Sequence, residues 1–354
     1  MPRVLKIGPI EIGFPAVQAA LSGYSDRAMR MLARHYGAEL TMNEVILDKL
    51  VLQKGKLRDR MLALGEDDHP VVGQLMGSNP EQFAGAADEL VRAGYDIIDI
   101  NFGCPVKKVL GRCRGGYLLS EPENALRIVQ AVVESVEGRR PVTIKMRRSF
   151  DDTLESEADF FQILDGAWEL GVSAVTVHGR TVKQRYIGPS KWPFLAKVKK
   201  HVGDRIVLGS GDLFSAMDVK RMFEETGVDG AAIARGAIGN PFIFREAAAI
   251  LEGKPLPPPP TVLEQREAIE LHTKLATEVY GTARTGMMMR KFWIRYSDLH
   301  PRRTEVRGAA IRANTTDDLF ALLDVWYDPD KDWGEVTRPE VPADLVAAGA
   351  TQNG

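Results

Sequence analysis

The run Val71-Val72-Gly73-Gln74-Leu75, then Pro80–Ala93, then Asp96-Ile97-Ile98-Asp99-Ile100-Asn101 decides the fold. The outer runs are short, apolar and rich in β-branched residues, as strands are. The segment between them is amphipathic, as a surface helix is. A strand, a helix and a strand in that order make the unit that joins two parallel strands by a crossover.

The same alternation extends in both directions. Strands are expected at Pro15–Ala20, Glu39–Met42, Val71–Leu75, Asp96–Asn101, Val142–Met146, Ser173–His178, Arg205–Gly209 and Asp229–Ala234. Helical stretches between them include Glu123–Val136, Ser156–Leu170 and Phe214–Glu225. Eight such units in about 250 residues are the size of a (β/α)8 TIM barrel, an α/β fold. A doubly wound open sheet is the competing architecture. It needs a switch point and usually a Gly-rich first turn, and no G-x-G-x-x-G follows the first strand.

The alternation stops at Pro255-Leu256-Pro257-Pro258-Pro259-Pro260-Thr261. Four successive prolines end any helix and favour a stiff linker. Beyond it, Glu264–Tyr280, Gly286–Leu299, Glu305–Ala313 and Thr316–Trp326 have apolar residues at helical spacing and predict a small helical bundle. The expected organisation is a barrel over 1–254, a linker over 255–261, a helical domain over 262–327 and a loose acidic tail over 328–354.

The chain of 354 residues, 44% hydrophobic and 27% charged, can bury more than one core and does not have a disordered composition. No apolar run approaches the roughly 18 residues of a membrane span, and Met1–Lys6 lacks a secretory core. A cytoplasmic, monomeric protein is expected. The two cysteines, Cys104 and Cys113, make no disulfide framework, and no Cys/His cluster has metal spacing. The net charge of −2 hides an asymmetry. Between 281 and 312, eight basic residues, among them Arg284, Arg290, Lys291 and Arg295, face only Asp298 and Glu305. From Asp317 onward nine acids face Lys331 and Arg338. A localised basic face of this kind matters more for polyanion binding than the chain total.

The unusual residues fall at one end of the expected barrel. Gln74, Asn101, Lys145 and His178 lie near the C-terminal ends of strands three to six, while Ser210 and Arg235 follow strands seven and eight. A barrel builds its active site from those ends. Each residue alone admits a plainer reading, such as a loop cap or a satisfied core histidine. Six at the same end argue for a site. The turns Gly209-Ser210-Gly211-Asp212 and Ala234-Arg235-Gly236-Ala237 lie where a barrel binds phosphate, and Arg235 can add a charge-assisted contact. Phosphate at one side, with Gln74, Lys145 and His178 across the mouth, suits a phosphate-tailed planar cofactor, and flavin mononucleotide (FMN) fits. Cys104 stands between Gly103 and Pro105, just past strand four. A thiol largely protonated at neutral pH can serve as a general acid as well as a nucleophile. Cys113 lies in the same loop between Arg112 and Arg114 and is of secondary interest.

These motifs, in their order and spacing over residues 15–326, resemble the tRNA-dihydrouridine synthases. The resemblance is carried by Gly23-Tyr24-Ser25-Asp26-Arg27, Asn101-Phe102-Gly103-Cys104-Pro105 with Lys107-Lys108-Val109, and Lys145-Met146-Arg147. It continues in Val177-His178-Gly179-Arg180-Thr181 with Gln184, Tyr186 and Gly188, then in Gly211-Asp212 and Arg235-Gly236-Ala237 with Gly239-Asn240-Pro241. It departs from the family at Ala20-Leu21, Ser210 and Ala234. The resemblance implies FMN bound by Ala20, Leu21, Ser22, Gln74, Lys145, His178, Ser210, Gly211, Asp212, Ala234 and Arg235. It implies a uracil held by Asn101, Arg147 and Tyr186. It also implies RNA on the helical domain, around Arg284, Arg290, Lys291 and Arg295. The reaction implied is NADPH-dependent reduction of the C5–C6 bond of uridine in tRNA. Hydride passes from flavin N5 to C6 and a proton from Cys104 to C5. Two alternatives stand beside it. One is an FMN-dependent dehydrogenase of a free pyrimidine. The other is a tRNA-binding homologue without catalysis.

Overall fold

The computed structural model describes residues 4–338. Eleven strands occur in them: β1 (Leu5–Ile7), β2 (Ile10–Ile12), β3 (Ala16–Gln18), β4 (Thr41–Met42), β5 (Ile46–Leu47), β6 (Val71–Met76), β7 (Ile97–Phe102), β8 (Val142–Arg147), β9 (Ala174–His178), β10 (Val207–Ser210) and β11 (Gly230–Ile233). Parallel pairing runs from β3 through β4, β6, β7, β8, β9 and β10 to β11, which pairs back to β3. The sheet is therefore a closed eight-stranded barrel. All eight expected strands are in it.

Two features were not expected from the sequence. The second strand position is split, with β4 beside the start of β6 and β5 beside its end, at Ile46↔Leu75 and Leu47↔Met76. An antiparallel hairpin, β1 with β2, precedes the barrel. Its Leu5, Ile7 and Ile12 join Val17, Val72, Ile97, Ala174, Leu208 and Ala232 in one buried apolar cluster. That cluster fills the lower interior of the barrel. Side chains two residues further along a strand share its inward face. Above the apolar layer the interior therefore becomes polar, with Gln74, Asp99, Thr143 and Thr176, then Asn101, Lys145, His178 and Ser210.

The barrel helices are α1 (Arg27–His35), α2 (Asp48–Val51), α3 (Lys56–Leu62), α4 (Pro80–Arg92), α5 (Lys107–Leu110), α6 (Pro122–Val136), α7 (Leu154–Glu169), α8 (Trp192–Val202), α9 (Ala216–Thr226) and α10 (Ile243–Leu251). Their starts follow from local chemistry. In α4 the Asn79 side chain accepts from the Gln82 N–H and Pro80 occupies the first turn, where its missing N–H costs nothing. Phe83, Ala86, Ala87 and Leu90 then bury one face of the helix against the barrel.

After the proline run, Thr261 and Glu264 form a capping box that starts α11 (Val262–Tyr280). Next come α12 (Thr282–Tyr296), α13 (Arg303–Arg312) and α14 (Thr316–Trp326), the last opened by a second box between Thr315 and Asp318. This group of helices is tied to the barrel. The Tyr280 hydroxyl donates to Asp26 Oδ2 at 2.6 Å, and Tyr24 meets Phe292 edge-on at 5.4 Å. Residues 328–338 carry no regular element, yet they are held: Trp333 Nε1 donates to the Asp328 carbonyl at 2.8 Å and Arg338 reaches Glu246 at 3.2 Å. The rest of the expected acidic tail lies outside the described residues.

Candidate active site

The strand register places the candidate residues at one end of the barrel. Asn101 stands opposite Lys145, Arg147 opposite His178, and His178 opposite Ser210. The loops that follow these strands bring in Cys104, Tyr186, Asp212 and Arg235.

Cys104 is half-buried on the loop after β7. Asn101 holds that loop: its Oδ1 accepts from the Gly103 N–H at 2.9 Å and the Cys104 N–H at 3.0 Å. Burial pushes the thiol pKa up, against the pull of the Val106 amide, Arg147 and Lys145. The sulfur therefore stays protonated at neutral pH. Asn101 Nδ2 donates to Gln74 Oε1 at 2.7 Å, so its amide is spent on shaping the site.

Arg147 is buried and laces two loops together. Its Nε donates to the Gly103 carbonyl at 2.9 Å, and its Nη1 donates to Thr181 O at 2.9 Å and Arg185 O at 2.5 Å. Its guanidinium lies 5.3 Å from the Tyr186 ring centre, and Arg235 lies 5.1 Å from the same ring. Tyr186 is thus flanked by two cations. Lys145 makes no side-chain hydrogen bond among the described residues. Burial, then the neighbouring Arg147, lower its pKa to about 8.

His178 is buried and its Nδ1 accepts from the Arg180 N–H at 3.2 Å, which leaves the proton on Nε2. Burial, then the charges of Arg147, Lys145, Arg180 and Arg235, hold its pKa well below the ordinary range. It is a neutral donor aimed at the turn after β10. There Gly211 has φ +109, and a Cβ on it would lie 2.4 Å from Ser190 Oγ and 3.1 Å from His178 Nε2. Only glycine leaves this space open.

The space has the features of an anion cradle. Ser190 Oγ is buried there without a hydrogen-bond partner, and Arg180 Nη1 nearby in the chain is likewise buried without one. Arg180 is otherwise fixed, donating to the Gly188 carbonyl and to Asp212 Oδ2 at 2.8 Å. Asp212 also accepts from the Ser190 N–H at 2.7 Å, and Arg235 Nη2 lies 3.4 Å from its other oxygen. Buried polar atoms without partners, with Arg180 and Arg235 alongside, fit a phosphate. Lys145 across the mouth fits the electron-rich edge of a reduced flavin. The residues present therefore fit FMN.

Other expected residues sit differently. The Ser210 hydroxyl turns away and donates to the Ala232 carbonyl at 3.2 Å. The Leu21 N–H is taken by Ser25 Oγ at 2.8 Å, while Ser22 is exposed. Lys291 reaches the Gly23 carbonyl and lies 5.1 Å from the rings of Tyr24 and Phe292. Arg284 is exposed on α12, Arg290 reaches Asn314 Oδ1 at 3.2 Å, and Arg295 lies near Arg235. Cys113 is exposed.

Sequence reasoning missed Asp99, Thr143, Arg180 and Ser190. Asp99 stands two residues before Asn101 on the same strand face, so the period of two pointed to it. The roles of Arg180 and Ser190 depend on contacts between loops, which spacing does not encode.

The family model for dihydrouridine synthase (Dus) matches residues 17–325. A protein of Mycobacterium tuberculosis named "Probable tRNA-dihydrouridine synthase" is 34% identical over 329 residues, covering 90% of this chain and 84% of its own. The tRNA-dihydrouridine synthase B of Xanthomonas axonopodis pv. citri is 33% identical over 325 residues, covering 92% and 96%. Among solved structures, the chain is similar in fold to histamine dehydrogenase from Rhizobium sp. 4-9, with a TM-score of 0.56, 15% identity and coverage of 77% and 50%. It is likewise similar to morphinone reductase in complex with tetrahydroNAD, with a TM-score of 0.52, 14% identity and coverage of 73% and 92%. The family match spans most of the barrel and nearly all of α11–α14, so the chain belongs to the dihydrouridine synthase family.

Proposed function

We propose that this chain is an FMN-dependent oxidoreductase that reduces uridine in tRNA to 5,6-dihydrouridine, with NADPH as the reductant. Family membership and the names of the relatives support the substrate class. One observation carries the chemistry. A thiol kept protonated by burial, Cys104, is held by Asn101 at a barrel mouth whose other side is a cationic anion cradle.

Gly211, Ser190, Arg180 and Arg235 would hold the FMN phosphate, His178 Nε2 would face the same turn, and Lys145 would lie toward the ring. When bound, FMN supplies the hydride that C6 of the uracil receives. Cys104 donates its proton to C5, where negative charge builds as C6 is reduced. Tyr186, with the Arg147 and Arg235 guanidiniums over its ring, would meet an unstacked base at its edge. Arg147 holds the Cys104 loop against the 181–185 loop, so both sides of the base move as one unit. The barrel over 1–254 performs the chemistry. The helices over 262–327, joined to it by 255–261, orient the tRNA.

The test is to reduce the flavin with NADPH, remove excess reductant, and add tRNA lacking dihydrouridine. Reoxidation of the flavin by that tRNA, with dihydrouridine appearing in it, is expected. Reoxidation by free uracil or orotate with tRNA inert would overturn the reading.

A further inference from the structure

Beneath the Cys104 loop a chain of buried hydrogen bonds runs from Asp99 to the loop backbone. Thr143 Oγ1 donates to Asp99 Oδ1 at 2.6 Å, and Gln74 Nε2 donates to Asp99 Oδ2 at 2.7 Å. Asn101 Nδ2 donates to Gln74 Oε1 at 2.7 Å. The Gly103 and Cys104 N–H groups donate to Asn101 Oδ1. Asp99 is 1% exposed, and its in-register neighbours on both sides are Gln74 and Thr143.

Both ends of this chain demand the same polarity. Backbone N–H groups can only donate, so Asn101 must turn its oxygen to the loop and its NH2 to Gln74. Gln74 must then turn its NH2 downward, where it needs an acceptor. Burial pushes the pKa of the Asp99 carboxyl up to about 6, against the Thr143 and Gln74 hydrogen bonds and the Lys145 charge, so above that pH it is ionised and only accepts. We propose that Asp99 is a positioning residue for Cys104, acting through Gln74 and Asn101 by forcing the direction of both amides. This role rests on the functional reading above only for its purpose. The relay itself is a property of the barrel interior.

An amide at position 99 would weaken the constraint, leaving only the loop N–H groups to enforce it. It can present oxygen or NH2 to Gln74, and in the second case the whole relay reverses. Asn101 would then face two N–H donors with a third, and the Cys104 loop would lose its acceptor. Asp99 does not touch Cys104; Lys145 feels the charge of both, so Gln74→Leu, which keeps the Asp99 carboxylate and cuts only the amides, separates the relay from that field.

The test reads the loop directly, as the rate of Cys104 alkylation by iodoacetamide in a Cys113→Ser parent that retains its flavin. Asp99→Asn should speed alkylation roughly tenfold, as expected for losing one to two hydrogen bonds to the loop. The midpoint of the alkylation pH profile should fall toward the ordinary thiol range as burial is relieved. Gln74→Leu cuts the relay in the middle and should do the same, which covers the case in which Asp99→Asn folds poorly. The double variant Asp99→Asn/Gln74→Glu should restore slow alkylation, because the carboxylate moved to position 74 accepts from both neighbouring amides. Parent-like rates in Asp99→Asn and Gln74→Leu would overturn the proposal. So would a double variant as fast as Asp99→Asn. Alkylation reports the loop whether or not Cys104 is the proton donor. A failed relay and a failed acid assignment are therefore distinguishable, the latter by wild-type uridine reduction in Cys104→Ala.

Discussion

Cys104 and Gly211 stand on the two sides of the barrel mouth, and each makes a separable prediction. A buried thiol with a raised pKa is in its donor form through neutral pH and loses it only as pH rises through that raised value. The Cys104 contribution to single-turnover reoxidation of reduced flavin by tRNA, read as the wild-type rate over that of Cys104→Ala so that the Lys145 titration near about 8 cancels, should therefore stay flat up to about pH 8.5, the ordinary thiol value, and decline only above it. Cys104→Ala should keep its flavin and slow that step by about 10² to 10⁴-fold, the usual worth of a general acid. A decline centred below the ordinary thiol range would contradict a buried donor. Gly211 tests the other side. Because its φ is +109 and a Cβ would lie 2.4 Å from Ser190 Oγ, Gly211→Ala should purify with little flavin while its far-UV circular dichroism stays native. Full flavin occupancy would remove the phosphate from this turn. Much of the site was legible in the sequence, since Gln74, Asn101, Lys145, His178 and Arg235 could be assigned to strand ends. Their partners were less so. The polarity that Asp99 gives to Gln74, and the cradle made by Arg180 with Ser190, arise between strands and loops distant in the chain.

At the scale of elements, the eight barrel strands were readable because strands covered on both faces are continuous apolar runs. The elements missed are too short for periodicity to reveal. The β1–β2 hairpin has two strands of three residues, and β5 has only two residues. They exist because tertiary contacts pay for them: Leu5, Ile7 and Ile12 plug the barrel floor, and β5 lies along the end of β6. The C-terminal helices were readable from spacing. How they dock was not. That depends on close approaches such as Gly239, whose added Cβ would lie 2.6 Å from the Arg295 carbonyl carbon and the Tyr296 nitrogen. The loop after β11, which carries Arg235, thus packs backbone to backbone on α12. Gly239→Ala should push the two apart and cost about 1–3 kcal/mol, the usual penalty of overpacking. The thermal midpoint should drop, and tRNA affinity should fall further than flavin occupancy does. An unchanged midpoint with normal tRNA binding would show that α12 does not need this contact.

Across the whole molecule, charge is distributed unevenly, and the fold decides which of the basic residues can meet a polyanion. The net charge of −2 gives no overall attraction for RNA. The basic run over 281–312 concentrates positive charge on α12 and α13, beside a barrel mouth already lined by Arg147, Arg180 and Arg235. Its members are not equivalent. Arg284 is exposed, and Arg290 reaches Asn314 on the surface. Lys291 instead turns inward, to the Gly23 carbonyl and between Tyr24 and Phe292, and burial lowers the pKa of its ammonium. Each phosphate contact steepens the dependence of log K on log salt by about 0.7 to 0.9. Arg284→Gln with Arg290→Gln should therefore flatten that slope by roughly 1.5 in tRNA-binding titrations, while NADPH still reduces the flavin at the normal rate. Lys291→Met should leave the slope as it is and lower the thermal midpoint, because its work is to join α12 to the loop after β3. The opposite pattern, a flatter slope from Lys291→Met and none from the arginine pair, would mean that RNA meets the seam between barrel and helices rather than the outer face of α12.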